Sequence, residues 1–597
     1  MDFAPKCLSL DIETSATDVL DIRKLAAWRP DTGKQLSLGD IGKTGNVAEA
    51  LDALTEGAAF VLGHNLLHHD LPVLQSRFPQ LKLHALPVVD TLELSPIAFP
   101  QNPYHSLVKD YKLVRDSRSD PLKDAKLAYR LWQDQFQAFT ALKENAPDLL
   151  ACYHYLLTRN PRNGVASFFA TLRRALPPAP DQVLDIAIAI SHDKVCATSM
   201  REVLSAAIQD TDISKPLAYV LAWLRVSGGN SVLPPWVRYQ YPEVCNLIHK
   251  LRETSCNDPA CGYCTTYLDP RKELERLFGF SAFRPEPANK DGGSLQEAIV
   301  LAGYAGKSHL AILPTGGGKS ICFQLPALSR HWRNGSLTIV ISPLQSLMKD
   351  QVDNLVRQGI FTGATLNGLL TMPERRDVLE KIRLGDVGLL LVSPEQFRNK
   401  AFTDAIRHRE IGAWVFDEAH CLSKWGNDFR PDYLYVSRFI RERYRENLAP
   451  VCCFTATAKK EVVADLREHF QESLGLDLEI FDGGHERENL HYEVMAIGKA
   501  EKFPLIHRLL EQELKNTEGG AIVFASRRKS CEEISAYLKD MGWPCAHFHA
   551  GLDAGVKKDV QQAFITGNLR VIAATNAFGM GVDKSDVRLV VHAEIPG

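Results

Sequence analysis

The chain has 597 residues, of which 45% are hydrophobic and 24% are charged, and its net charge is −3. This length predicts three to five domains, and the strand-to-helix motifs described below predict an α/β multidomain protein. No apolar run reaches the roughly 18–20 residues of a membrane span. The small net charge excludes a global basic field, so any groove for nucleic acid must be local. The N-terminal MDFAPKCLSLDIETS has acids where a signal peptide needs an apolar core. We therefore expect a cytoplasmic location, where the 13 cysteines are thiols or metal ligands rather than disulfides.

The N-terminal segment distributes carboxylates over several predicted elements. CLSLDIETS (7–15) predicts a strand that carries two of them on one side, because side chains alternate along a strand. Further acids lie in LGHNLLHHDLPVL (62–74) and in the helix that starts near residue 119. Carboxylates on separate elements can hold two divalent ions, which clamp the attacking and leaving oxygens of a phosphodiester. The candidate metal ligands are Asp11, Glu13, Asp70, Asp90 and Asp124.

Over residues 6–135 this pattern resembles the DEDD 3′–5′ exonucleases, which have an RNase H-like fold. Asp11, Glu13, Asp70 and Asp124 match the four acids of that family in order, and the resemblance implies that they are the metal ligands. The resemblance implies a nuclease domain at residues 1–140 that uses Mg²⁺ or Mn²⁺. The family's water-activating histidine or tyrosine would stand at Ser119 or Asp120, which cannot act in the usual way. His68, His69 and His105 are alternatives. A degenerate nuclease kept for DNA binding or packing is the other interpretation.

Residues 141–270 predict a helical region that contains a cysteine cluster. Cys256, Cys261 and Cys264 have the close spacing of Zn²⁺ ligands, with Cys245 or His249 as the fourth. The C-x4-C-x2-C spacing also occurs in plant-type iron–sulfur sites. Cysteines that bind no metal are the third interpretation. We expect a structural zinc clip that braces the helical region against the segment that follows.

The strand HLAIL (309–313) predicts the start of a phosphate-binding loop, LPTGGGKS. Only glycine lets the backbone turn this tightly and bring its N–H groups against an anion. The lysine supplies a charge for the β and γ phosphates, and the serine supplies a hydroxyl for Mg²⁺. The strict pattern fails only at its first position, Leu313. The predicted nucleotide-binding residues are Thr315, Gly316, Gly317, Gly318, Lys319 and Ser320.

A second buried strand, AWVF (413–416), ends in the string DEAH. In open α/β sheets ligands bind at the C-terminal ends of strands. Asp417 can hold the metal, while Glu418 can orient or deprotonate the attacking water. With the glycine loop, these acids predict an ATP-hydrolysing site.

From about Leu274 onward the chain resembles superfamily 2 DNA helicases of the RecQ type. LFGFSAFRP (277–285) with Gln296 resembles the motif that reads adenine, although the family places its glutamine directly after FRP. The stretch after DEAH resembles the aromatic-rich loop that contacts DNA, with Lys424 and Asn427 as departures from the family. FTATA (454–458) resembles the motif that links hydrolysis to domain movement. The implied DNA-binding residues are Ser342, Pro343, Trp425, Phe429 and Arg430.

The resemblance implies two RecA-like lobes, at residues 271–480 and 481–597, which close on ATP and reopen. In the second lobe, Gly579, Gly581 and Asp583 would face the nucleotide and DNA. The family's next motif, which supplies an arginine to the ATP site, should follow HAEIPG. We expect residues 1–597 alone to bind ATP but to hydrolyse it poorly.

Together the two resemblances imply an ATP-dependent 3′–5′ DNA helicase fused to a metal-dependent 3′–5′ exonuclease-like domain. The implied ligands are ATP, Mg²⁺ or Mn²⁺, Zn²⁺, single-stranded DNA and duplex junctions. Repair, recombination and defence against foreign DNA all fit this activity. Two alternatives stay open: a helicase whose nuclease-like domain only docks DNA, and an ATP-gated DNA-binding scaffold that does not unwind.

Overall fold

The chain divides into two compact units, Met1–Ile341 with Leu355–His485, and Ser342–Asn354 with Glu486–Gly597. No helix in the described part of the chain has both the length and the apolar character of a membrane span. The computed structural model describes residues 6–15, 18, 20–39, 46–101, 120–159, 164–226, 233–314, 316–368, 370–424, 430–456, 459–484, 490–578, 584 and 586–594.

A mixed five-stranded sheet forms the N-terminal part of the first unit, in the order β3-β2-β1-β4-β5. Strands β1 to β3 are antiparallel neighbours, whereas β4 and β5 run parallel to β1 on its other side. Leu8, Leu10 and Ile12 pack into one face, so the odd-numbered residues of β1 point to the opposite face. The elements are β1 (Cys7–Thr14), β2 (Ile22–Trp28), β3 (Gln35–Gly39), α1 (Val47–Thr55), β4 (Phe60–Gly63), α2 (Leu71–Arg77), β5 (Val88–Asp90), α3 (Thr91–Ala98) and α4 (Pro121–Asn145).

Helix α4 joins this sheet to the helical region. Trp132 and Phe139 on α4 share one hydrophobic core with Phe60 on the sheet and with the helices that follow. The domain boundary expected at residue 140 therefore lies inside a continuous helix. The helices are α5 (Pro147–Leu157), α6 (Val165–Arg173), α7 (Pro180–Ile190), α8 (Ala197–Gln209), α9 (Thr211–Leu224), α10 (Pro235–Gln240), α11 (Glu243–Arg252), α12 (Gly262–Tyr267) and α13 (Pro270–Phe278).

The next segment forms a seven-stranded sheet whose paired strands are all parallel, in the order β12-β6-β11-β10-β7-β9-β8. The strands β6 and β10 are the buried apolar runs expected around residues 309–313 and 413–416. The elements are α14 (Leu295–Tyr304), β6 (His309–Ile312), α15 (Lys319–Asn334), β7 (Leu337–Ile341), α16 (Gln345–Arg357), β8 (Gly363–Leu366), α17 (Met372–Leu384), β9 (Leu389–Val392), α18 (Lys400–Ile406), β10 (Ile411–Phe416), α19 (Pro431–Tyr444), β11 (Val451–Thr455), α20 (Lys460–Leu474) and β12 (Glu479–Asp482).

The second unit contains a four-stranded parallel sheet in the order β14-β15-β13-β16. The α/β lobes with parallel sheets are thus confirmed. The elements are α21 (Lys502–Leu514), β13 (Gly520–Phe524), α22 (Arg528–Asp540), β14 (Cys545–Phe548), α23 (Ala554–Ile565), β15 (Val571–Ala574) and β16 (Val587–His592).

Candidate functional site

The glycine-rich loop links β6 to the N-terminus of α15. Gly316 and Gly318 have φ angles of +82° and +81°, a region that other residues rarely adopt. Lys319 is the first residue of α15, so the unpaired N–H groups of the helix start lie beside it. Thr315 lies outside the described residues, and its predicted role stays a prediction.

Lys319 and the acids after β10 meet at the same edge of the sheet. The Lys319 Nζ lies 3.1 Å from Glu418 Oε1, and both side chains are largely buried. Asp417 is 3% exposed, and its main-chain oxygen accepts a 2.9 Å hydrogen bond from the Tyr433 hydroxyl. The structure therefore brings the predicted phosphate lysine and the predicted catalytic acids together.

Glu418 is held in an unusual backbone conformation. Its φ is +48°, in the left-handed region that a non-glycine residue occupies only at a cost of about 1–3 kcal/mol. His420 Nδ1 lies 3.4 Å from Glu418 Oε2 and 3.2 Å from Thr455 Oγ1, at the end of β11. This contact connects FTATA to the acidic string through His420.

Gln296 reaches the phosphate loop although it lies far beyond FRP in the sequence. Its Oε1 accepts a 2.9 Å hydrogen bond from the Arg284 N–H, and its Nε2 donates a 3.1 Å hydrogen bond to the Gly318 carbonyl. The intervening residues form a loop that returns to its start, because the Leu295 N–H donates to the Pro287 carbonyl at 3.1 Å. The insertion therefore loops out and leaves the glutamine beside the nucleotide-binding loop.

The predicted DNA contacts are only partly described. Ser342 and Pro343 are buried, so neither offers an exposed side chain here, and their role stays a prediction. Arg430 is half-buried at the start of α19, and its N–H donates to the Cys421 carbonyl at 2.9 Å. The other predicted residues lie outside the described part of the chain: Trp425, Phe429, Gly579, Gly581 and Asp583.

The four acids of the N-terminal sheet lie on adjoining elements. Asp11 and Glu13 are on the face of β1 that packs against α4, where the Ser9 hydroxyl donates to the Ala125 carbonyl at 2.8 Å. Asp70 is buried against the same strand, because its Oδ1 accepts a 2.9 Å hydrogen bond from the Ile12 N–H. Burial raises the pKa of Asp70. Asp124 is buried in the first turn of α4.

These acids do not form one tight cluster. Within the described ranges, no three of them bring ligand atoms within 4.8 Å of one another. The Lys24 Nζ lies 2.9 Å from Glu13 Oε2, while the buried Glu13 Oε1 accepts no hydrogen bond from the described residues. The second oxygen of Glu13 is thus a buried acceptor that a cation would satisfy.

Two of the alternative histidines are described, and they have different surroundings. His69 lies among the acids: its Nδ1 is 3.5 Å from Asp70 Oδ2, and the hydrogen bond that it donates to the Asp70 carboxylate raises its pKa, with the charge of Asp11 adding to the effect. His68 instead lies 3.2 Å from the buried Glu93. His105 lies outside the described residues.

Glu93 anchors a polar network that the sequence analysis missed. It accepts hydrogen bonds from Lys215 Nζ at 2.5 Å and from the Tyr241 hydroxyl at 2.7 Å, in addition to the contact with His68. Burial works to raise the pKa of Glu93, but His68 and Lys215 outweigh it and lower that pKa to about 2. The network ties α3 to α9 and to the residue after α10. No local motif marks it, since its members are far apart in the sequence.

The cysteine cluster contains a residue other than the one predicted. Cys196, Cys256, Cys261 and Cys264 all lie within 4.8 Å of one another through their sulfur atoms. The prediction of Cys245 as the fourth member is wrong. Cys245 lies near the start of α11, whereas the Leu251 carbonyl near the helix end accepts a 3.0 Å hydrogen bond from the Cys196 N–H. Cys245 and Leu251 are six residues apart on the helix, which corresponds to about 9 Å along its axis.

The remaining alternative, His249, pairs with Glu253 at 2.8 Å. Burial would raise the pKa of Cys196, but hydrogen bonds from Ser199 and the neighbouring thiols lower it to about 7.

Comparison with known proteins agrees with the geometry of the C-terminal half. Residues 294–466 match the family model described as DEAD/DEAH box helicase, and residues 501–597 match the one described as helicase conserved C-terminal domain. The ATP-dependent DNA helicase RecQ of Pasteurella multocida is 36% identical over 326 residues, covering 54% of this chain and 47% of that protein. The probable ATP-dependent DNA helicase RecS of Bacillus subtilis is 37% identical over 333 residues, covering 55% of this chain and 61% of that protein.

The human ATP-dependent DNA helicase Q4 is 34% identical over 377 residues, covering 60% of this chain and 29% of that protein. The chain thus spans less than two thirds of each of these relatives. Both family matches lie C-terminal to residue 293. From residue 294 onward the chain therefore matches two helicase domain families and is similar to RecQ helicases.

Proposed function

We propose that the full-length protein is an ATP-dependent DNA helicase of the RecQ type. The observation that carries this proposal is the 3.1 Å contact between Lys319 and Glu418, at the ends of two strands of one parallel sheet. The similarity to RecQ proteins supports DNA as the substrate, and the family resemblance implies 3′–5′ movement on one strand.

The residues of this site have separate roles in binding and hydrolysing ATP. Lys319 binds the β and γ phosphates, and the N–H groups of the glycine loop donate hydrogen bonds to the phosphate oxygens. Ser320 and Asp417 are the residues that would hold Mg²⁺, which neutralises phosphate charge and orients the γ phosphate. Glu418 orients and deprotonates the attacking water.

Lys319 and Glu418 pair through their opposite charges. When phosphates arrive, they compete for the lysine ammonium, because a doubly charged phosphate attracts it more strongly than one carboxylate does. Glu418 then loses its cationic partner and can accept a proton from water. ATP binding would thus prepare the base at the same moment as it fills the site.

The first experiment measures nucleotide binding, ATP hydrolysis and strand displacement with the full-length protein. Lys319→Ala should lose binding and both activities, whereas Glu418→Gln should keep binding and lose hydrolysis by about 10²-fold or more. Lys307→Ala, which removes an exposed lysine paired with Glu479, is the matched control. Unchanged hydrolysis in Glu418→Gln contradicts its assignment as the base. Intact DNA-dependent ATPase without unwinding favours the ATP-gated scaffold.

A second activity, metal-dependent 3′–5′ exonuclease, is proposed for the N-terminal sheet. Three antiparallel strands followed by two parallel ones are the arrangement expected of an RNase H-like sheet, which supports the proposal. Asp11, Glu13, Asp70 and Asp124 would hold Mg²⁺ or Mn²⁺, and the buried Glu13 Oε1 fits that role. Bound ions would polarise the phosphodiester and its attacking water.

His69 is the described histidine that lies beside these acids, so we assign it the positioning of the attacking water. Its contacts with Asp70 and with the Thr14 hydroxyl, at 3.4 Å, hold the ring at the end of β1. The Lys24 contact with Glu13 must yield to the metal, since a cation already neutralises that carboxylate.

The nuclease is tested by incubating 3′-labelled single strands with the protein in Mg²⁺ or Mn²⁺. Asp11→Asn should abolish degradation, and Asp134→Asn, an exposed carboxylate on α4, should leave it unchanged. Degradation that survives in Asp11→Asn contradicts the proposal. DNA binding without degradation in the wild-type protein supports the alternative of a docking domain.

A further inference from the structure

Four cysteine sulfurs converge where the end of α11 meets the start of α8. Cys196 precedes α8, whereas Cys256, Cys261 and Cys264 lie in or before α12. We propose that these four residues bind a single Zn²⁺ ion in a closed, structural site.

The sulfur separations match one tetrahedral ion. The distance is 3.7 Å from Cys256 to Cys264 and 4.0 Å from Cys261 to Cys196. Four thiolates placed about 2.3 Å from a central Zn²⁺ lie about 3.8 Å apart by tetrahedral geometry. A disulfide is excluded at these separations, because its sulfurs lie about 2.05 Å apart. An iron–sulfur cluster needs wider spacing, since several iron and sulfide atoms must fit between the thiolates.

The backbone holds the ligands in place through its own hydrogen bonds. The Cys196 N–H donates to the Leu251 carbonyl at 3.0 Å, which fixes the distant ligand against the end of α11. Between the other ligands, Asp258 Oδ1 accepts a 2.9 Å hydrogen bond from the Ala260 N–H and closes a tight turn. Cys261 directly precedes α12, and the first turn of that helix carries Cys264. The site is therefore largely formed by the fold.

The location of the cluster gives the ion a bracing role. Trp332, near the C-terminal end of α15, packs against the apolar group that includes Cys196 and Cys264. The Arg252 guanidinium lies 4.4 Å from the centre of the Trp332 ring, and the Tyr267 ring stacks on it at 4.2 Å. The ion would thus link the start of α8 to the segment that runs from the end of α11 into α12. This link lies beside the C-terminal part of α15, the helix that starts at the phosphate loop. A cross-link that closes a long loop stabilises a fold chiefly by restricting the unfolded chain.

The test is the metal content of the full chain after dialysis against metal-free buffer. We expect about one zinc per chain and no iron or acid-labile sulfide. Cys196→Ser should lose the zinc and lower the melting temperature by roughly 5 °C or more. Cys245→Ser, the matched control, should keep both, because that thiol lies at the other end of α11. Equal zinc in the two variants overturns the proposal, and so does iron with labile sulfide in the wild-type protein.

A second measurement needs no variant to fold. Replacement of the metal by Co²⁺ in the wild-type protein should give the intense thiolate-to-cobalt absorption of a four-thiolate tetrahedral site. Titration with a mercurial should release the metal only as several thiols react. Cobalt spectra without charge-transfer bands would overturn the assignment of cysteine ligands.

Discussion

Gly318 is the residue at which the phosphate loop and Gln296 constrain one another. A Cβ at position 318 would lie 2.2 Å from Gln296 Nε2, and the φ of +81° disfavours any side chain there. Alanine in the left-handed region costs about 1–2 kcal/mol, and overpacking a tight site costs a further 1–3 kcal/mol or so. We therefore expect Gly318→Ala to lower the free energy of unfolding by about 2–5 kcal/mol.

Gly316 offers a matched control within the same loop. Its φ is +82°, but a Cβ added there would meet nothing within 4 Å. Gly316→Ala should therefore cost only the backbone term of about 1–2 kcal/mol. The difference between the two variants, about 1–3 kcal/mol, isolates the contact with Gln296.

Thermal and denaturant unfolding of the nucleotide-free protein measures both variants, and a fluorescent ATP analogue measures binding. Adding Gln296→Ala to Gly318→Ala should cost less than the sum of the single changes, because the collision has been removed. Equal stability of Gly316→Ala and Gly318→Ala within about 0.5 kcal/mol would refute the reasoning, as would additive costs in the double variant.

Three further predictions concern buried polar groups. Burial and the charge of Arg409 lower the pKa of His331 to about 4, so the unfolded chain takes up this proton first. Stability should fall by up to about 3 kcal/mol as the pH drops from about 6.5 to 4, and denaturant unfolding of His331→Asn should show a flatter profile. Glu93→Gln removes the charge that holds Lys215, so unfolding at neutral pH should become easier by about 3 kcal/mol, whereas the exposed Glu275→Gln should change little. Tyr433→Phe removes the donor to the Asp417 carbonyl, so steady-state kinetics should show a lower ATPase kcat with nearly unchanged nucleotide affinity.

The approach of Lys319 to the acids after β10 was predictable because its signals are local. The glycine loop and the acids after β10 are short strings, and parallel strands bring their C-terminal ends to one edge of a sheet. Gln296 is different, because its position depends on how the inserted loop closes. That closure rests on main-chain hydrogen bonds between Pro287 and Leu295, which have no sequence signature.

The cysteine cluster shows why the rest was not predictable. Three of the cysteines share one short segment, so their spacing can be read from the sequence. Cys196, in contrast, is separated from that segment by four helices in the sequence. Cys245 is closer in sequence, but helix rise places it at the wrong end of α11. The domain boundary expected at residue 140 lies inside α4 rather than between two elements, because the helix length also depends on tertiary contacts. The length of α4 follows from buried residues on both sides of that position, such as Phe139 and Leu142.

Helix α15 is anchored differently at its two ends. Lys319 and Trp332 lie 13 residues apart on this helix, which corresponds to about 20 Å along its axis. Pro326 stands near its middle and has no N–H for the Cys322 carbonyl, so the hydrogen-bond ladder is interrupted there. A shift of the phosphate loop upon nucleotide binding can therefore bend the helix at one point while the aromatic stack stays in place. The start of α15 can therefore change direction while its C-terminal end keeps its packing.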